Sequence, residues 1–144
     1  MKYHYDVPGD DFSLAGAAST DLKRILARIG LSPNVIKRSA IAMYEAEINM
    51  VIHAGGGFID VEIQPDKIYI RLEDSGPGIP DLSLAMTEGF STAPEHIREL
   101  GFGAGMGLPN IKRNCDDLNI DTEVGKGTIV TIMLLCKAKE GENA

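Results

Sequence analysis

What the sequence lacks narrows its class before any motif is read. Only two cysteines are present, Cys115 and Cys136, and neither has a CxxC neighbour. They read as small buried hydrophobes of a reducing compartment. No apolar run approaches the ~18 residues that a membrane helix needs. The N-terminal stretch MKYHYDVPGDD has no signal-peptide core. These absences predict no membrane attachment and a cytoplasmic location. Basic charge is scarce too: 14 Lys and Arg stand against 21 Asp and Glu, a formal net charge of −7. The one small basic cluster, Lys112-Arg113, is too little to hold a nucleic-acid backbone. The expectation is therefore no direct nucleic-acid contact, and an acidic surface suited to solubility or to a partner with a basic face.

What is present is an ordinary globular composition, 44% hydrophobic and 24% charged over 144 residues. That is enough chain for one domain with a single core. Lys2–Val7 is β-prone and ends at Pro-Gly. Ser19-Thr20-Asp21 supplies N-cap side chains for a helix that Gly30 stops. Pro33 launches a second helix, which runs to His53-Ala54 before Gly55-Gly56-Gly57. FIDVEIQ and KIYIRLED both alternate around the turn Pro65-Asp66 and predict an antiparallel hairpin with one buried face. After Asp74 the chain turns irregular, with a short helical piece near Leu82–Thr87. Leu108–Leu118 reads as a helix, and Asn119–Glu123 with Thr128–Leu135 as a second hairpin turned at GKG. The predicted fold is α+β: a two-layer sandwich of a mainly antiparallel sheet with helices on one face. Residues 1–138 form one domain, and 139–144 a disordered tail.

Three motifs carry chemistry. On the second helix Glu45, Asn49 and His53 recur every fourth residue and fan across about 80° of the circumference. Ile41, Ile48 and Ile52 project near the same stripe, which marks it as core-facing. Glu47 projects to the opposite side and reads as surface. The second motif, Asp74-Ser75-Gly76-Pro77-Gly78, closes a strand. It is either a plain Asx turn or a carboxylate presented at a concave site. The third, GFGAGMG at 101–107, runs straight into a helix, so its freed N–H groups could cradle anionic oxygens or merely connect. It is not a Walker A loop, because no Gly-Lys-Ser/Thr follows, and no βαβ unit surrounds it.

Together with Gly125-Lys126-Gly127-Thr128, the three motifs resemble the Bergerat-fold GHKL nucleotide-binding family of gyrase, MutL and histidine-kinase catalytic domains. The likeness covers roughly residues 35–135. The short length and the run EAEINMVIHAGGG are most similar to the bacterial anti-sigma-factor and switch serine kinases, which phosphorylate a serine of a small STAS-type antagonist. The resemblance implies roles residue by residue. Glu45 is the general base and Asn49 the Mg²⁺ ligand. Asp74 accepts from the adenine amino group, with Gly76 and Gly78 shaping that wall and Thr128 beside it. Gly101, Gly103, Gly105 and Gly107 wrap the phosphates of ATP, and Lys112 or Arg113 supplies positive charge nearby. His53 has no assigned role. The implied activity is ATP-dependent phosphoryl transfer to a protein serine. Its alternative is a non-catalytic, ATP-dependent module that sequesters a sigma factor. Homodimerisation is a family expectation, and residues 1–30 are too short for the dimerising helix of a histidine kinase.

Overall fold

The alternation of apolar residues through 58–63 and 67–72 dictates the centre of the molecule. The structure, a computed structural model, describes residues 1–9, 14–79, 86 and 107–136. Its strands are β1 (Lys2–Pro8), β2 (Gly56–Ile63), β3 (Lys67–Asp74), β4 (Asp117–Glu123) and β5 (Gly127–Leu135). They form one sheet in the order β1-β2-β3-β5-β4, with every pairing antiparallel. Register places apolar residues in rows across it: Val61 opposite Ile70 and Ile70 opposite Ile132, then Ile59 opposite Leu72 and Leu72 opposite Val130. This face is buried under the helices. The outer face carries polar contacts such as His4 with Asp60 and Arg71 with Glu73.

The helices are α1 (Ala17–Ile29), α2 (Pro33–Ala54) and α3 (Gly107–Arg113). The α+β sandwich expected from the sequence is therefore the fold. Pro33 opens α2 behind Ser32, whose Oγ accepts from the Val35 N–H at 3.3 Å. Gly55 ends the helix in a left-handed conformation, its N–H donating to the Met50 carbonyl. Gly56 and Gly57 then belong to β2 rather than to the stop. No described helix is long and apolar enough to cross a membrane. Cys115 and Cys136 are both unbridged, and burial pushes both thiols up from their ordinary range.

Three local expectations need correction. The third helix stops at Arg113 and not Leu118, because Asp117 and Leu118 pair with Met133 and Ile132 at the start of β4. The first helix begins before Ser19-Thr20-Asp21, with Gly16 at the N-cap and no side chain of its own segment capping it. The cap comes from α2. The Glu47 carboxylate accepts from the N–H of Gly16 at 3.0 Å, Ala18 at 3.2 Å and Ser19 at 3.0 Å. Glu47 is thus buried, at 1% exposure, where its helical position had suggested surface. The reason is that α1 packs on the side of α2 away from Glu45, so α2 is covered on two sides and not one.

The same fact corrects the core-facing stripe. The buried face of α2 comprises Val35, Ser39, Ala42, Met43, Ala46, Met50 and Val51. Of the three isoleucines only Ile48 is buried; Ile41, Ile52, Glu45 and Asn49 are half-buried and His53 is exposed.

A carboxylate at a helix N-terminus satisfies donors that would otherwise stay unpaired, and the helix dipole strengthens each bond. Replacing Glu47 with Ala strips three buried N–H groups of their acceptor at once. The expected loss is about 3 kcal/mol of folding stability, read from the urea midpoint. A loss below about 1 kcal/mol would show that water replaces the carboxylate without penalty.

Candidate functional site

The site lies where the half-buried stripe of α2 meets the N-terminal end of α3 and the Asp74 end of the sheet. Burial raises the Glu45 carboxyl above its ordinary value, opposed by a hydrogen bond from Asn110. That bond is long, Asn110 Nδ2 donating to Glu45 Oε1 at 3.5 Å. Asn110 is itself held on both sides: Arg113 donates to its Oδ1, and its carbonyl accepts from Asn114 Nδ2 at 2.8 Å. A carboxylate with weakened solvation beside a tethered amide is poised to take a proton.

Asn49, four residues on, faces the backbone of Gly107. A Cβ on Gly107 would lie 2.8 Å from Asn49 Nδ2 and 3.0 Å from Oδ1, so any larger residue here would push the Asn49 amide aside. The last glycine of the 101–107 run is thereby brought to the Glu45–Asn49 stripe. Gly101, Gly103 and Gly105 lie outside the described residues, as do most of 82–87, all of 92–100 and the 139–144 tail. The helix α3 is ~10 Å long, which puts Lys112 and Arg113 in its last turn, at the far end from Gly107. Both are exposed; Arg113 reaches Asn110, and Lys112 lines a cleft with Cys115, Asp116 and Met86.

At the other end, Asp74 is the last residue of β3 and half-buried. Its Oδ1 accepts from the Gly76 N–H at 2.9 Å and from the Thr128 N–H at 3.2 Å. The turn reading and the site reading of Asp-x-Gly-x-Gly thus hold together: Oδ1 makes the Asx turn, while Oδ2 accepts no hydrogen bond among the described residues. Gly76 packs on the end of α2, where a Cβ would meet Ala54 Cβ at 2.6 Å. Gly78 has φ +80 and crosses so close to the Glu123 carbonyl that a Cβ would lie 2.5 Å from it. Thr128 is buried at 7% exposure and pairs with Asp74 across β3 and β5.

Two residues of this region were not singled out from the sequence. Asn110 sits one helical turn after Gly107, a spacing that puts both on one face of α3. Thr122 continues the inward phase of Leu118 and Ile120 in β4 and is the one polar residue in that phase. A hydroxyl in an otherwise apolar alternation was the available signal.

Whether these residues suit a metal follows from their chemistry. Among the described residues no group of three or more His, Cys, Asp or Glu side chains could hold an ion. Asn49 offers a single neutral oxygen. That donor set suits Mg²⁺ delivered on a polyphosphate, whose own oxygens and waters fill the shell, and does not suit a resident metal.

A family model described as the histidine kinase-, DNA gyrase B- and HSP90-like ATPase matches residues 34–138. The chain belongs to this family. The match takes in α2, the whole hairpin region and the glycine run, so the GHKL resemblance holds. Among curated relatives, the serine/threonine-protein kinase RsbT of Bacillus subtilis is 37% identical over 95 residues, 63% of this chain and 65% of RsbT. The anti-sigma F factor of Bacillus licheniformis is 34% identical over 92 residues, 60% of each chain. The chain thus spans less than two thirds of the length of these relatives. Of solved structures, the RsbU and RsbW domains of a Mycobacterium tuberculosis protein superpose with a TM-score of 0.65 at 16% identity. That match covers 96% of this chain and 33% of the other. The SiaB–SiaC complex of Pseudomonas aeruginosa gives 0.63 at 13% identity, over 92% and 88%. At those identities the likeness establishes the fold.

The raised Glu45 has a signed consequence for stability. The folded state holds this proton more tightly than the unfolded chain, so Glu45 favours folding in acid. That contribution is lost as pH climbs through its elevated pKa. Glu45→Gln removes the dependence. Thermal melts should show the variant gaining on the native protein as pH rises from about 4 to 8. Curves that stay parallel would mean that Glu45 is as well solvated folded as unfolded.

Proposed function

We propose that this chain is a single ATP-binding domain, residues 1–138, acting as a GHKL-type protein serine kinase on an STAS-type antagonist. The observation that carries the reading is the pairing of a desolvated Glu45 with Asn49 on one stripe, closed by the Gly107 end of the glycine run. A nucleotide sensor that only binds ATP needs no half-buried base. The relative named as a serine/threonine-protein kinase supports the same reading.

In this proposal Asp74 Oδ2 and Thr128 receive adenine, with Gly76 and Gly78 forming the wall. Gly101, Gly103, Gly105 and Gly107 hold the phosphates. Asn49 would hold Mg²⁺, whose charge would offset that of the phosphate oxygens. Glu45 takes the proton as the serine Oγ bonds to the γ-phosphorus, and the bond to the ADP oxygen breaks with its electron pair on ADP. Such a site works by placement and charge neutralisation, with one proton to move. A second reading, sequestration of a sigma factor without transfer, draws on the relatives named as anti-sigma F factors.

The test is transfer from labelled Mg-ATP to a purified STAS-domain antagonist. Glu45→Ala should keep ATP affinity within a few-fold and lose about 10²- to 10⁴-fold in transfer rate. ATP binding with no transfer by the native protein would leave the sequestering reading; absence of ATP binding would overturn both. A second variant probes the base end. In Asp74→Asn the amide oxygen can still serve Gly76 and Thr128, while the amide nitrogen points a donor at the adenine amino group. The protein should melt near the native temperature yet bind ATP about tenfold or more weaker by calorimetry. Unchanged affinity would remove Asp74 from base recognition.

A further inference from the structure

Across β3, β5 and β4 the register sets Asp74 opposite Thr128 and Thr128 opposite Thr122, one polar row ending the apolar rows of the core. The third member, Thr122, bonds to Ile79, Thr128 and Gly127 beside the base-binding wall. Its Oγ1 accepts from the Ile79 N–H at 2.8 Å. It shares a proton with the Thr128 hydroxyl at 2.9 Å and stands 3.4 Å from the Gly127 carbonyl. The neighbouring turn adds one more tie, Gly125 N–H to the Pro77 carbonyl at 2.9 Å. The segment 75–79 is thus stitched to the β4–β5 hairpin at Pro77 and again at Ile79. With Ile79 N–H filling one lone pair of Thr122, its hydroxyl still bonds that of Thr128 whichever of the two donates, and this bond holds the Thr128 Oγ1 toward Thr122.

We propose that Thr122 is a specificity-determining positioning residue of the nucleotide site. It fixes both the loop that follows Asp74 and the orientation of the Thr128 hydroxyl, and so sets the preference for a 6-amino over a 6-oxo purine. The inference rests on the adenine reading of Asp74. It adds that discrimination depends on a side chain that itself touches no base. Without the Thr122 hydroxyl the segment would keep its Asx turn and its tie at Pro77, so Asp74 stays in place. The Ile79 N–H would lose its acceptor and the Thr128 hydroxyl would be free to turn, and a hydroxyl that can turn accommodates either purine edge.

The test compares ATP with inosine triphosphate, which differs at the 6-position of the ring, on the full-length chain with Mg²⁺. Thr122→Val keeps the shape and removes the hydroxyl; Thr122→Ser restores it. Calorimetric titration should show Thr122→Val binding ATP five- to tenfold weaker with inosine triphosphate changed less than about twofold. Thr122→Ser should hold the native ratio to within about twofold. A merely structural role for Thr122 lowers both affinities together, and that outcome, or an unchanged ratio, overturns the proposal. If Thr122→Val is too unstable to titrate, the serine variant decides alone: a collapsed ATP preference despite its hydroxyl also overturns it. A native protein that binds neither nucleotide, or both equally, would instead overturn the adenine reading beneath it.

Discussion

Three amide protons converging on one carboxylate set the orientation on which this molecule depends. Glu47 reaches from the middle of α2 to the start of α1 and fixes the rotation of α2 about its own axis. A two-residue step on a helix turns by about 200°, so Glu45 and Asn49, two residues to either side, must both point roughly away from Glu47. Locking Glu47 inward against α1 therefore turns Glu45 and Asn49 toward the end of α3, where they meet Asn110 and Gly107. The stability of one helix pair and the aim of the reactive groups come from the same contact.

Most of the architecture was legible because it is local. The alternation in 58–63 and 67–72, the glycine stops after α1 and α2, and Pro33 each follow from backbone geometry within a few residues. Among the described motif residues, Glu45 and Asn49 stand together on one stripe, half-buried where their pattern implied a core-facing side, and Asp74 lies at a strand end beside Thr128. What the sequence hid was long-range. Glu47 looked like surface because helical periodicity reports which side a residue faces, and not whether a second helix covers that side. Ser19 and Thr20 looked like caps because a capping side chain is expected nearby, whereas the acceptor here comes from a residue near position 16 in space alone. Thr122 stayed unnoticed because its importance exists only once strand register sets it beside Thr128.

The site divides its labour by distance. At the α2–α3 junction the chemistry is desolvation: Glu45 is held half out of water, with the Asn110 hydrogen bond limiting how far its proton affinity rises. At the sheet end the chemistry is shape and hydrogen-bond pattern, built from Asp74, Thr128 and Thr122 on adjacent strands. The two ends meet through α2 itself, since Gly76 packs against Ala54 in its last turn.

The polar row has a consequence for what the chain can tolerate. Asp74, Thr128 and Thr122 occupy the same phase as Leu72, Val130 and Ile120, so the polar row is set by the register that also packs the core. Moving any of these strands by one residue would turn the row to the opposite face and bring polar side chains under the helices. Within the β2–β3 and β4–β5 hairpins, length changes are therefore tolerated at the turns 64–66 and 124–126 and not inside the strands. In this fold, a slip in strand alignment would dissolve the polar row and the core packing in a single event.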